Sequence, residues 1–565
     1  MIFRSFLVAL MLFFTTHLFS QNNELNSLIE KLQSSLTKVE TASKTYEQEI
    51  KLVEYASVRY SVNEVDQKGN KVAYSYEFNI GDIDVYAARQ VTQKDVITVI
   101  LSVKNKQKLV KGIKNGEMLA YDNEVIFRAK DADQASQILE IVKKCIPAGE
   151  KITASKLKLQ GYDEMVKWLT NNVKDVTVGT KAITQNIKPD SYTSSFKLLQ
   201  IENDGKSSQQ EEFIFNLADI NQNNINFKVA GNRFGLSFEM MQPQKSIKVL
   251  RDGKPRPFND EVLIYANNVD EARDIKTVLA LLVPLAINKV KADLPNFKTK
   301  EESLDKVFSF VKDVKLSDKT EGQTNTSKCI TEITVVEQTN SSSTRNKYDF
   351  NWMDINANAV QVKTSGEKMT IQLPTMEKKK LIMYSKNDKF EGYDNEISVY
   401  AEDYEIARRL KHAIEKTIEG CNASYKDPFK ATNAGMMDWL KANVGEVIID
   451  QATKKQSIEF AEEGNENKIK LTNTEVKSNS SVQEIFEFNL SDINPTTVNY
   501  EVKGKWLYVS FETNFKNKII KAYKDGKIQP YAYSIDLVMK DVETARGTAM
   551  ALKKLAENFK GKQLN

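Results

Sequence analysis

The sequence predicts an α+β, multi-domain chain: four tandem repeats, each an N-terminal helix, about seven antiparallel strands and a C-terminal helix. Three observations carry the prediction. A length of 565 residues outgrows one hydrophobic core and sets an expectation of about three to five domains. One motif returns four times in a fixed register. Within each return, hydrophobic spacing changes from the period of a helix to the alternation of strands and back.

The motif reads aromatic-x-Phe-Asn-x-x-Asp-Ile and stands at Tyr76 to Ile83, Phe213 to Ile220, Tyr348 to Ile355 and Phe486 to Ile493. A second motif follows at Asp131 to Ala135, Asn268 to Ala272, Asp403 to Ala407 and Asp541 to Ala545. The motif Asp and the motif Ala are 53 residues apart in every copy: Asp82 and Ala135, Asp219 and Ala272, Asp354 and Ala407, Asp492 and Ala545. An aromatic residue precedes that Ala by 14 positions each time, as Tyr121, Phe258, Tyr393 and Tyr531. A gapless register held four times is an internal duplication.

The copies alternate in type. Copies 2 and 4 share Met-x-x-Trp-Leu-x-x-Asn-Val, at Met165 to Val173 and Met436 to Val444, and Asp-Gly-Lys-x-x-Pro, at Asp252 to Pro257 and Asp525 to Pro530. Copies 1 and 3 share Tyr-Asp-Asn-Glu, at Tyr121 to Glu124 and Tyr393 to Glu396, and a cysteine late in the last helix. The A-B-A-B order points to a duplicated two-copy unit. The expected boundaries are 21–148, 158–294, 301–424 and 432–561, with residues 1–20 set apart.

Copy 4 shows the elements most plainly. An amphipathic helix over 434–444 places Met436, Trp439, Leu440 and Val444 on one face. Alternating segments follow at 456–461, 468–474, 484–490, 497–503, 505–512, 518–523 and 532–539, separated by Asn, Gly, Pro and Ser turn chemistry. A last helix opens at Asp541, whose carboxylate suits an N-cap, and lines up Ala545, Ala549, Leu552 and Leu555. In copy 1 the first helix is expected around 23–40. Pro147, Pro295 and Pro428 follow the last helices of copies 1 to 3 and read as linkers.

Seven strands closed by one helix is an order that resembles the pleckstrin-homology-like superfold. The resemblance implies a bent antiparallel sheet pair, with one open end plugged by the C-terminal helix. The extra N-terminal helix departs from the minimal fold. A split α+β sandwich with both helices on one face is the other arrangement that this order allows.

Composition narrows the function classes. Apolar residues make up 41% and charged residues 28%, so most of the chain is expected to fold. The 80 basic and 76 acidic residues nearly balance, which leaves no electrostatic footprint for nucleic acid. Residues 1–20 have a signal-peptide layout, with a short basic start, an apolar run from Phe6 to Phe14 and a polar end near Ser20. The expectation is export to the periplasm or beyond, with no transmembrane segment in the mature chain.

Candidate chemistry is sparse. The recurrent Asp82, Asp219, Asp354 and Asp492, each with an Asn three residues earlier, suit a polar ligand. The simpler reading has each Asp side chain closing an Asx-turn where a strand ends. The recurrent aromatic admits Phe for Tyr, so packing rather than its hydroxyl accounts for it. Beyond the leader the sequence holds one histidine, His412, at a position not shared by the other copies. It reads as a helical surface residue, and histidine-dependent triads have no further imidazole to draw on. Cys145, Cys329 and Cys421 are too few for a disulfide framework. Buried small residues are the first reading, and a Cys329–Cys421 bond within copy 3 is the alternative. Lys378 to Lys380 read as a solvated strand edge rather than a phosphoinositide loop.

No catalytic, cofactor-binding or metal-binding residue is therefore assigned. The sequence points to a non-enzymatic binding or scaffold protein of the bacterial cell envelope. The alternative is a soluble periplasmic carrier of an apolar or lipid ligand. The expected partner is an envelope protein or an apolar ligand.

Overall fold

The computed structural model describes residues 24–562 except 94, 179–180, 231–232, 243, 450–451, 462–466 and 478–479. The expected export signal, residues 1–20, lies outside the described residues. The described strands form eight antiparallel sheets, a six-stranded and a three-stranded sheet alternating through the four sequence copies. The chain divides into two compact units, Met1–Asp293 and Leu294–Asn565. Each unit therefore holds one type A copy followed by one type B copy.

Copy 4 illustrates the pattern. Val447–Ile449, Ala452–Phe460, Lys468–Lys477 and Ser480–Asn489 run as an antiparallel meander. The chain then leaves to form Asn499–Lys503 and Trp506–Glu512 in a second sheet. It returns to complete the first sheet with Ile520–Lys524 and Lys527–Ala532, and crosses once more to place Ser534–Met539 in the second. Nine strands thus stand where about seven were expected. One missed strand, Val447–Ile449, is three residues long; the other, Lys527–Ala532, carries Pro530, which an edge strand tolerates because it needs no inward N–H there.

Helices flank the sheets as the apolar periodicity required. The opening helices are α1 (residues 24–35), α3 (Tyr162–Asn172), α5 (Lys300–Phe310) and α7 (Asn433–Asn443). The closing helices are α2 (Ala132–Ser155), α4 (Val269–Asp293), α6 (Tyr404–Ser424) and α8 (Val542–Lys562). Each closing helix packs on the three-stranded sheet of its copy. In α8, Ala545, Ala549, Leu552 and Leu555 are all buried, as their spacing predicted. Asp131, Asn268, Asp403 and Asp541 each accept a backbone N–H of the first turn, at 2.7–2.9 Å. The α1 segment stops at residue 35, and Val39–Glu40 is already a strand. Pro147 lies inside α2 rather than after it, so the helix of copy 1 outruns its expected end. Pro284 lies inside α4 likewise.

Two recurrent devices fix the sheets. In every copy a hairpin turns through two consecutive left-handed residues: Asn115-Gly116, Asp252-Gly253, Asn387-Asp388 and Asp525-Gly526. The first side chain of each turn also accepts an N–H from the neighbouring strand, at Ala73, Gln210, Arg345 and Gln483. The second device is a buried glutamine amide that clasps one sheet to the other. Gln48, Gln185, Gln323 and Gln456 each accept the N–H and donate to the C=O of one residue in the last strand: Arg128, Tyr265, Tyr400 and Val538. A side chain thus completes the ladder that the backbone cannot reach.

Candidate functional site

The recurrent Phe-Asn-x-x-Asp motif ends a strand and forms a short 3-10 turn: Ile80–Asp82, Leu217–Asp219, Trp352–Asp354 and Leu490–Asp492. The Asx-turn expected from the Asp belongs to the Asn. Asn79, Asn216 and Asn351 accept the N–H two residues on, at 2.9–3.1 Å. The Asp at the end of the turn can therefore act elsewhere, because an Asx-turn needs only one side-chain acceptor.

In the first unit, Asp82 faces copy 2. It pairs with Arg273 of α4, which also pairs with Asp270 one turn earlier. Asn79 Nδ2 donates to Asp270 Oδ1 at 3.2 Å. Tyr121 stacks on Phe234 of copy 2 with ring centroids 4.8 Å apart. Phe234, Ala266, Val269 and Ala272 of copy 2 belong to the same apolar cluster as the core of copy 1. Lys156, at the end of α2, meets Asp274 of α4 at 2.7 Å.

The second unit repeats this geometry. Arg546 of α8 donates to Asp354 Oδ2 of copy 3 at 2.7 Å and to Glu543 at 3.1 Å. Asn351 Nδ2 donates to Glu543 Oε1 at 3.1 Å. Arg546 and Asp354 are 8% and 4% exposed, so the pair is buried. Tyr393 packs against the core of copy 4. The clamp thus consists of an Asn and an Asp from a type A turn, and an acidic residue and an Arg one helical turn apart in the next type B copy.

Burial dominates the electrostatics of this clamp. It raises the carboxyls of Asp82 and Asp354 above the usual aspartate range, with Arg273 and Arg546 opposing it. Burial works against the charge of Arg546, and the Asp354 and Glu543 carboxylates and the Tyr500 phenol more than offset it, so its pKa rises. A buried pair of this kind holds register, since removing one member strands the other charge.

The same turn closes in the type B copies. Asp219 is buried. Asp492 is half-buried, and its Oδ2 accepts from Asn489 within the same turn at 3.0 Å. The recurrent aromatic is buried as Tyr121 and Phe258 and half-buried as Tyr393, but Tyr531 is 50% exposed.

A second feature is a groove of about 510 Å³ in copy 4, between its two sheets. Lys454, Glu475, Asp536 and Tyr508 line it, with Asn473, whose buried Oδ1 has no hydrogen-bond partner. Lys454 lies 3.9 Å from Glu475, and the same strand pair carries Lys44–Glu64, Lys181–Glu202 and Lys319–Glu337 at 2.5–2.7 Å. In copies 1 and 2 an arginine, Arg128 or Arg233, also reaches that recurrent glutamate.

Cys329 and Cys421 form a disulfide, which overturns the buried-thiol reading; their Cα atoms are 5.6 Å apart across 92 residues of sequence. Cys145 is buried, and burial pushes its thiol up to about 12. His412 is more than a surface residue: its Nε2 meets the Pro295 carbonyl at 3.0 Å and its ring stacks on Phe297. The lysine run is not a strand edge, because Met376–Lys378 is a tight turn and Ile382–Lys386 begins after it. Among the described residues, no group of three or more His, Cys, Asp or Glu is placed to hold a metal ion, and no helix is long and apolar enough to cross a membrane. No family model matches the chain, and no curated protein matches it in sequence.

Proposed function

We propose that this chain is an exported, non-enzymatic binding or scaffold protein of the bacterial cell envelope, acting through its tandem copies. The observation that carries the proposal is the buried Asp–Arg clamp found once in each unit. It makes two copies one preorganised surface, and preorganisation lowers the ordering cost of binding a partner. Two such units on one chain suit multivalent attachment. The Cys329–Cys421 bond supports export, since disulfides persist in oxidising compartments. The polar, charged lining of the copy 4 groove favours a protein or polar partner over an apolar cargo. At the level of the superfold we infer kinship with pleckstrin-homology-like domains. Paired antiparallel sheets covered by a C-terminal helix support it, and nine strands in place of seven mark a departure.

The test is a pull-down of the tagged full-length chain from bacterial envelope extract, with protein and lipid analysis of what is retained. The expected result is a stoichiometric protein partner. A clean monomer carrying extractable lipid would contradict the proposal and favour the carrier.

A further inference from the structure

Copy 4 leaves open to solvent several apolar positions that are covered in copies 1 and 3, where part of the same surface packs on the following copy. The fixed register makes the correspondence residue by residue. Leu109 and Leu381 are buried at 2% and 3% exposure, whereas Ile519, at the same position, is 44% exposed. Met118 and Phe390 are half-buried, whereas Ile528 is 80% exposed. Tyr121 stacks on the next copy, whereas Tyr531 stands open. Phe515 adds a further apolar group at 93% exposure, in a left-handed turn position where copies 1 and 3 place Asn105 and Glu377. That turn rests on the motif, since Asn514 Nδ2 donates to the Asp492 carbonyl at 3.0 Å. Isolated exposed apolar residues need no explanation, but a set that repeats an established interface does.

We propose that this face of copy 4 is a docking surface for a partner protein domain whose helix opens with an acidic residue and, three residues later, an arginine. Those are the groups that α4, α6 and α8 present as Asp270 with Arg273, Glu405 with Arg408 and Glu543 with Arg546. Asp492 takes the place of Asp82 and Asp354, Asn489 that of Asn79 and Asn351, and the apolar set Ile519, Ile528 and Tyr531 receives the helix flank. A second copy of this chain fits less well through its first copy, where the arginine position is Ser136, hydrogen-bonded to Gln90. The inference rests on the scaffold reading and names one of its surfaces.

The probe is a hydrocarbon-stapled, fluorescent peptide of residues 268–290, which carries Asp270 and Arg273, titrated into the full-length chain. Saturable binding is expected, weakened about tenfold by Asp492→Asn and by Tyr531→Ala, in line with loss of one partly exposed charge pair or one aromatic anchor. Both variants should keep the wild-type melting temperature. Failure to saturate, or saturation that both variants leave unchanged, overturns the proposal. Sedimentation that shows a dimer dispersed by Ile519→Asp overturns it in favour of a second copy. If these results go against the face while the envelope pull-down still returns a partner from the Asp492→Asn chain, the scaffold reading stands and only this surface is lost.

Discussion

Copies 1 and 3 bury the same turn that copy 4 leaves half-open. In the first two, the motif Asp reaches across 191 or 192 residues of sequence to an arginine of the next closing helix. In the last, Asp492 is satisfied by Asn489 three residues away. The residues of the motif are the same; the neighbour differs. A recurrent residue therefore carries two physical roles. The Asn shapes the local turn in copies 1 to 3, and the Asp is a connector whose use depends on what is placed beside it.

The largest break in that comparison should come from removing the buried carboxylate. Asp354→Ala leaves the buried Arg546 guanidinium with Glu543 as its remaining carboxylate, and the expected cost is about 3 kcal/mol, read from denaturant unfolding of the chain. Asp492→Ala removes only the hydrogen bond from Asn489 and should cost about 0.5–1.5 kcal/mol on the same measurement. A comparable loss distinguishes the two units. Reducing Cys329–Cys421 opens a long loop in the second unit alone and should lower its stability by about 2–5 kcal/mol, with the first unit unchanged in hydrogen exchange.

Smaller effects sharpen the picture. The glutamine clasp is common to all copies, so it should not distinguish them. Gln456→Leu removes the partner of the Val538 N–H and of the Val538 and Gly445 carbonyls, and Gln48→Leu that of the Arg128 N–H, the Arg128 and Thr37 carbonyls and the Tyr60 hydroxyl; each should cost at least about 1–3 kcal/mol. Gly149 marks where α2 meets the motif turn of copy 1: an added Cβ would lie 2.5 Å from Ile80 Cγ2 and 2.9 Å from the Gly81 nitrogen. Gly149→Ala should therefore destabilise the first unit, although Ala in a helix interior normally gains about 0.5–1 kcal/mol over Gly.

The smallest expected effect is on pH dependence. Asp82 and Asp354 hold their protons to higher pH when folded than unfolded, so their contribution to stability falls as pH rises from the ordinary aspartate value through the raised one. Glu202 and Glu337 are shifted down by Arg233 and Lys181, and by Lys319. Their contribution is present above the ordinary glutamate value and is lost as pH falls below it. Asp354→Asn should remove part of the first slope and leave the second, as read from melting temperature between pH 3 and 7.

The sequence carried much of this in its register. The N-cap at Asp541, the stripe of α8 and the alternation of copy types were all legible, because they lie at constant spacing or obey a helical period. The clasp was not. Gln48 and Gln185 precede the motif Asp by 34 residues, Gln323 by 31 and Gln456 by 36, since the intervening hairpins differ in length, and a gapless comparison cannot align them. The clamp was hidden for a different reason. Arg273 and Arg546 follow the motif Ala directly, but copy 1 has Ser136 there, so the position does not recur in every copy. Pairing between Asp354 and Arg546 is a tertiary fact that no local pattern encodes. Lys527–Ala532 was masked by Pro530, and α2 runs through Pro147 because sheet and turn contacts hold it on both sides.

A double-mutant cycle on Asp354→Asn and Arg546→Gln tests the central claim most directly. The clamp predicts a coupling energy of about 1–3 kcal/mol from unfolding of the two single variants and the double variant. Additive effects of the two substitutions would contradict it.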